Sequence, residues 1–248
     1  MAEWLVPDWA APTGVRALCT TRVGGVSKGP WGDFNLADHV QDDANAVGEN
    51  RRRLLSACEG LERIQWLTQI HSPQCVSADG HSLPEADASI TDQAGLACAV
   101  LTADCLPVLF CDSAGEQVAA AHAGWRGLLD GVLINPVRAF HAAPDTFQAW
   151  LGPCIRQARF EVGPEVRAAF LERFQGPDEP AIKGCFVPAS EPGKFLCDLA
   201  GLAALQLCAL GLSAITDSGL CSYDDSLFYS YRRQNPCGRF ASLIYRLP

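Results

Sequence analysis

Ala97-Cys98-Ala99-Val100-Leu101-Thr102 and Leu106-Pro107-Val108-Leu109-Phe110-Cys111 are two apolar runs of strand length, separated by Ala103-Asp104-Cys105. A third run, Gln117-Val118-Ala119-Ala120-Ala121-His122, follows and ends at Ala123-Gly124. Short apolar runs bounded by turn residues read as buried strands. The longest apolar stretch, Ala94 to Cys111, is interrupted by Thr102, Asp104 and Pro107, so it reads as core and not as a membrane span.

Further strands are expected on either side, at Val15–Thr20, Ile64–Leu67, Cys75–Ser77 and Gln148–Leu151, with a closing pair at Phe228–Tyr231 and Phe240–Tyr245. Asp42–Cys58 has an acidic start and apolar Val47, Leu54, Leu55 and Cys58, the pattern of an amphipathic helix. Helices are also expected over Leu128–His141, Pro164–Phe174 and Leu199–Leu210, while Thr21–Asp33 and Gly176–Pro192 read as loops. Strands and helices mix without a regular βαβ rhythm, which favours α+β layers over a doubly wound parallel sheet. No linker divides the chain, so one domain over residues 1–248 is expected.

Of the 248 residues, 48% are apolar and 19% charged, enough apolar material for a sizeable core. The net charge of −9 argues against nucleic acid and anionic membrane surfaces as partners. It leaves room for a small anionic substrate held by a local arginine cluster. The twelve cysteines include no C-x-x-C, and many lie in apolar stretches such as Ala97-Cys98-Ala99 and Leu207-Cys208-Ala209, where a thiol behaves as a small hydrophobe. The start, Met1 to Pro7, has neither a basic region nor an apolar core of a leader, so a reducing, cytoplasmic setting is expected.

Two of the five histidines sit beside turns at the ends of apolar strands: His71 in Gln69-Ile70-His71-Ser72-Pro73 and His122 in Ala121-His122-Ala123-Gly124-Trp125-Arg126-Gly127. Cys105 lies between them, after Asp104. Two imidazoles and a thiolate suit zinc, and three protein ligands leave a fourth position for water or substrate. From the residues alone three readings stand. They are a metal site, a Cys–His nucleophilic pair built on Cys105, and strand-end histidines beside an inert buried thiol. Anion-binding candidates are Arg22 beside Gly24-Gly25, Arg126 after His122, and Arg232-Arg233. Asn35 is read as a contact to ribose or base, or as a turn residue; His39 as a site residue or a loop cap. His81 and His141 are given no role. There is no Walker motif and no G-x-G-x-x-G.

Taken together, several segments resemble the YfiH, or laccase-domain (polyphenol-oxidase), family. They are Thr20-Thr21-Arg22 with Gly24-Gly25-Val26-Ser27, Phe34-Asn35-Leu36 with His39-Val40, Gln69-Ile70-His71, Thr102 to Val108, Ala121 to Gly127, Leu151-Gly152-Pro153, Phe160 to Gly163 and Phe228 to Arg233. The resemblance runs in order along nearly the whole chain. It implies a single α+β domain in four layers, α/β/β/α, with mixed sheets. It also implies zinc on His71, Cys105 and His122, copper being possible in the same site. The activity it implies is purine nucleoside phosphorylase, on inosine, adenosine and methylthioadenosine with phosphate, and adenosine deaminase. Other members are called peptidoglycan editing factors, and older labels say laccase. A multicopper oxidase needs one Cys-containing copper site plus a cluster held by roughly eight imidazoles, which the five histidines cannot supply. A metal-free hydrolase with Cys105 as nucleophile remains a rival enzyme class.

On this reading Asp104 or Glu161 carries a proton, and Arg22, Arg126 and Arg232 hold phosphate. The expected partners are small molecules, with a monomer or weak homo-oligomer and no membrane. Two positions depart from the family pattern: Ser72 where Gly commonly follows the first ligand, and Arg156 where the GP-x-IG segment has Gly.

Overall fold

The three apolar runs are strands, but they divide between two sheets. The computed structural model describes residues 4–248. Met1–Glu3, part of the segment read as lacking a leader, lie outside them.

In chain order the elements are β1 (Val15–Cys19), α1 (Ala44–Ala57), β2 (Arg63–Gln65), β3 (Cys75–Ser77), β4 (Ala88–Thr91), β5 (Leu96–Thr102), β6 (Leu106–Asp112) and β7 (Val118–Ala123). Then come α2 (Trp125–Asp130), α3 (Ile134–Ala139), β8 (Phe147–Leu151), β9 (Glu161–Val162), α4 (Pro164–Arg173) and α5 (Glu179–Gly184). The chain closes with β10 (Phe186–Pro188), β11 (Phe195–Cys197), α6 (Leu199–Ala209), β12 (Ala214–Asp217) and β13 (Phe240–Arg246). One sheet has the order β1-β13-β5-β2 and a larger one β12-β8-β6-β7-β4-β3, with a small β10-β11-β9 sheet beside them. Both large sheets are mixed: β2–β5, β3–β4 and β12–β8 are parallel, the other neighbours antiparallel.

The alternation of side chains along each strand shows how the sheets stack. On β5, Leu96, Cys98 and Val100 enter a core shared with Leu109 and Cys111 of β6, Val118 and Ala120 of β7, and Trp150 of β8. The intervening Ala97, Ala99 and Leu101 enter a second core with Leu54 of α1. On β6, Leu106, Val108 and Phe110 turn the other way, into a third core with Leu128, Val137, Phe170 and Leu202 from α2, α3, α4 and α6. Helix, sheet, sheet and helices therefore form four layers, α/β/β/α. Strands buried on both faces have no polar face, which is why their sequences lack alternation.

Asp43 caps α1, its carboxylate accepting from the backbone N–H of Asn45 and Ala46 at 2.8 and 3.0 Å, an arrangement worth about 1 kcal/mol. The expected helix over Leu128–His141 is interrupted: Gly131 adopts φ +96°, ends α2, and the chain restarts as α3. Gly176–Pro192, read as a loop, holds α5 and β10. Phe228–Tyr231 forms no strand; β1 takes the place beside β13 expected for it. Cys208, read as buried, is exposed on α6. Among the described residues no helix is long and apolar enough to cross a membrane.

Candidate metal centre

Cys105 lies where the chain leaves β5 in one sheet and enters β6 in the other. The three-residue crossover turns sharply, and Asp104 takes a positive φ of 96° there. Asp104 holds that turn in place: its Oδ1 accepts from Ser222 Oγ at 2.8 Å and its Oδ2 from the backbone N–H of Arg232 at 2.7 Å. His122 is the penultimate residue of β7, on the face turned toward the other sheet, as are Val118 and Ala120. His71 sits in the turn before β3, again at positive φ, 60°.

The ligand atoms of His71, Cys105 and His122 lie within 4.8 Å of one another. Cys105 Sγ is 3.9 Å from His71 Nε2, and the two imidazoles meet edge to face with centroids 4.9 Å apart. Zinc bonds of about 2.3 Å to sulfur and 2.0–2.1 Å to nitrogen in a tetrahedron place donor atoms roughly 3.3–3.7 Å apart, so the set closes on an ion with small adjustments. Gly124 supplies the room. A Cβ there would lie 2.9 Å from Cys105 Sγ and 2.9 Å from His71 Cδ2. The residues fit a single borderline-soft divalent ion with one open position.

The electrostatics favour the ligating form of the sulfur. Burial pushes the Cys105 thiol up, but the adjacent His122 and His71 imidazoles outweigh it and bring the thiol down to about 6. Burial pulls His122 down, and the Cys105 sulfur and the Asp87 carboxylate together reverse this and raise it to about 9. At Asp87, burial disfavours the charge, but bonds from His122 and Ser72 prevail and keep the carboxyl below its ordinary range. Asp87 is fully buried beside His122, its Oδ1 2.8 Å from Nδ1.

A cavity of about 400 Å³ opens from the three ligands. Its floor is Gln69 and Leu101 to Cys105; its opposite wall is Ile155, Phe160, Tyr231, Arg232 and Arg239, with His39 at the rim. Arg232 stands over the Phe160 ring, 5.7 Å from its centroid, and Arg239 over the Tyr231 ring at 5.8 Å. The His39 imidazole is held below its usual range, first by burial and then by the Arg239 charge.

The remaining residues singled out in the sequence lie elsewhere. Arg22 donates to the Gly32 carbonyl at 3.0 Å and packs over Tyr229, away from the lining. Arg126 is exposed on α2 over Trp125. The Glu161 carboxylate pairs with Lys194, while its carbonyl accepts from Arg232. Asn35 is fully buried and its amide is spent inside the protein, on the Ala37 carbonyl, Asp42 and the backbone N–H of Arg239. His81 and His141 lie outside the cavity lining.

Both departures from the family pattern have a place. Ser72 donates its hydroxyl to Asp87 at 2.9 Å. Arg156 forms a two-pronged pair with Asp217 at 2.8 and 2.6 Å and donates to the Leu220 carbonyl, fixing the loop that carries Ser222 to Asp104. Asp87, Gln69 and Arg239 carried no assignment in the sequence. The one available signal was a carboxylate inside the small apolar run Ala86-Asp87-Ala88, which has to find donors once buried.

Layered sheets around a three-donor pocket define the class: an α/β/β/α protein with a candidate mononuclear metal centre. The family model described as "Multi-copper polyphenol oxidoreductase laccase" matches residues 16–247, and the chain belongs to this laccase-domain, or YfiH, family. A purine nucleoside phosphorylase of Pseudomonas aeruginosa is 48% identical over 246 residues, 99% of each chain. The purine nucleoside phosphorylase YfiH of Escherichia coli is 43% identical over 248 residues, again 99% of each. The crystal structure of a Neisseria meningitidis protein superposes with a TM-score of 0.93 at 44% identity, covering 99% of both chains. That of YlmD from Geobacillus stearothermophilus gives 0.92 at 31% identity, covering 99% of this chain and 96% of the other.

Proposed function

We propose that this chain is a zinc-dependent purine nucleoside phosphorylase acting on inosine, adenosine and methylthioadenosine, with adenosine deamination as a second reaction at the same centre. The observation that carries the reading is the convergence of His71, Cys105 and His122 on one point of a cavity whose lining also holds Arg232, Arg239 and His39. The names of the close relatives support the same activity.

Zinc held there would supply a Lewis acid for the substrate or for water. The protein's own residues do the rest. Phe160 and Tyr231 offer aromatic surface to a purine ring. Arg232 keeps donors beyond those given to the Glu161 carbonyl, and with Arg239 it takes the phosphate. Arg22 and Arg126 lie outside the cavity lining and are not assigned that role. Cleavage of the glycosidic bond gathers positive charge on the ribose, and a phosphate fixed beside it both stabilises that charge and attacks. Asp104 is the carboxylate facing the cavity, so proton transfer in deamination is assigned to it; Glu161, paired with Lys194, is not needed. Donors and cavity come from one chain, so a monomer suffices, and a weak homo-oligomer would serve equally. Twelve unpaired cysteines suit a reducing cytoplasm.

The test is an assay of inosine with phosphate for hypoxanthine and ribose 1-phosphate. Losing the metal contribution of several kcal/mol lowers kcat/KM roughly a thousandfold in His122→Ala and in chelator-treated protein. Equal rates in wild type and variant refute the reading. A second reading, a cysteine hydrolase, is favoured by the lowered Cys105 thiol; it predicts activity that survives chelation and dies on alkylation. Hydrolysis of a peptidoglycan precursor is tested by amino-acid release from nucleotide-linked muropeptides. Multicopper phenol oxidation lacks donors: among the described residues this is the one His/Cys cluster, so any copper there stands alone.

A further inference from the structure

We propose that Asp87 and Gln69 are positioning residues that set the donor geometry in advance of the ion: Asp87 ties the His71 turn to His122, and Gln69 ties it to the strand that delivers Cys105. This rests on the metal reading of the site and deepens it.

The difficulty such a site faces is entropic. Its donors come from a turn, a crossover and a strand end, and ordering all three when the ion arrives would weaken binding. Asp87 removes much of that cost. Its Oδ1 accepts from the His71 N–H at 3.0 Å and from His122 Nδ1–H at 2.8 Å. Its Oδ2 accepts from the N–H of Ile70 at 3.2 Å, the N–H of Ser72 at 2.6 Å and the Ser72 hydroxyl at 2.9 Å. Three successive N–H groups pointing at one anion form a nest. That nest accounts for the positive φ at His71, which the carboxylate stabilises against its steric cost. The Asp87 carbonyl also accepts from the His122 N–H at 2.7 Å, so Asp87 holds the histidine by backbone and ring alike. A carboxylate can only accept; the Nδ1 proton is therefore fixed, and Nε2 is the nitrogen left to the ion.

Gln69 makes the second tie. Its Oε1 accepts from the Leu101 N–H at 2.7 Å and its Nε2 donates to the Leu101 carbonyl at 2.8 Å, imitating a neighbouring strand at the end of β5. Four residues further the chain reaches Cys105.

The test uses the full chain and zinc alone. Competition with a chelator is expected to show a 10–100-fold weaker zinc affinity in Asp87→Asn and about tenfold in Gln69→Leu. Nitrogen-15 spectra of the zinc-loaded proteins separate the two ties. His122 carries its proton on Nδ1 in wild type and in Gln69→Leu with the strongly hydrogen-bonded shift a carboxylate imposes, and that signal moves toward the value of a neutral acceptor or of a free N–H in Asp87→Asn. Wild-type affinity in both variants overturns the proposal while leaving the metal centre standing. Zinc on Nδ1 of His122 in the wild type does the same without any variant, should Asp87→Asn fail to fold. A wild type that takes up no zinc refutes the metal centre itself, and this proposal with it.

Discussion

Cys105 immediately precedes β6 and Cys111 lies six residues on, near the far end of that strand, and the two have opposite chemistries. Cys111 is fully buried between the two sheets, and burial, reinforced by Asp112, pushes its thiol up to about 12. Cys98, across the same core on β5, is pushed to about 12 for the same reason. Cys105, half-buried in the cavity lining, faces two imidazoles and falls to about 6. One residue type thus serves as filler mid-strand and as ligand at the strand's mouth. The difference is made by what converges on the sulfur, and convergence occurs where a strand ends and loops meet.

Three experiments bear on this contrast. The largest effect is expected in alkylation of metal-stripped protein at pH 7, followed peptide by peptide. Thiolate abundance favours Cys105 by orders of magnitude, partly offset by its lower intrinsic nucleophilicity, so it should react at least about a hundredfold faster than Cys98 or Cys111. Zinc should protect it and leave the others unchanged; equal rates would erase the contrast. A smaller effect is expected from Gly124→Ala. The added methyl meets Cys105 Sγ and the His71 ring at 2.9 Å, forcing the donors apart, and zinc affinity should drop about tenfold. Gly184→Ala, with nothing within 4 Å, serves as the control. The smallest effect is expected from Cys111→Ala, which removes one buried sulfur. Stability should fall by about 1 kcal/mol, read as a Tm lower by about 2–4 °C, with nucleoside turnover unchanged. A loss of turnover would show that this buried sulfur is more than filler.

The layered core was legible because β5, β6 and β7 announce themselves as unbroken apolar runs. The division of those runs between two sheets was not, since the change happens within Ala103-Asp104-Cys105 and the runs themselves are alike. β4 escaped notice as four residues, Ala-Ser-Ile-Thr, whose burial depends wholly on neighbours far away in sequence. Phe228–Tyr231 has a strand's composition, yet the segment beyond it is drawn to Asp104 through the Arg232 N–H and so leaves the sheet. Among site residues, the donors were visible because His and Cys are scarce and chemically distinctive. Asp87 and Gln69 act through backbone groups, and nothing in a linear sequence marks which main-chain N–H a side chain will meet. Of the arginines in suggestive motifs, Arg232 lines the cavity, while Arg22 bonds the Gly32 carbonyl and Arg126 is exposed over Trp125, both outside the lining.

The origin of the two halves of the pocket has a consequence for how such proteins diversify. All three donors, and both side chains that tie them, fall between positions 69 and 122; the wall opposite comes from 155 to 239. The three donors and the wall that faces them are therefore encoded in separate stretches of the gene. Exchanging the later stretch between relatives should alter which compound is accepted while the ion stays seated, which makes chimeras cut near position 150 a natural route to altered specificity.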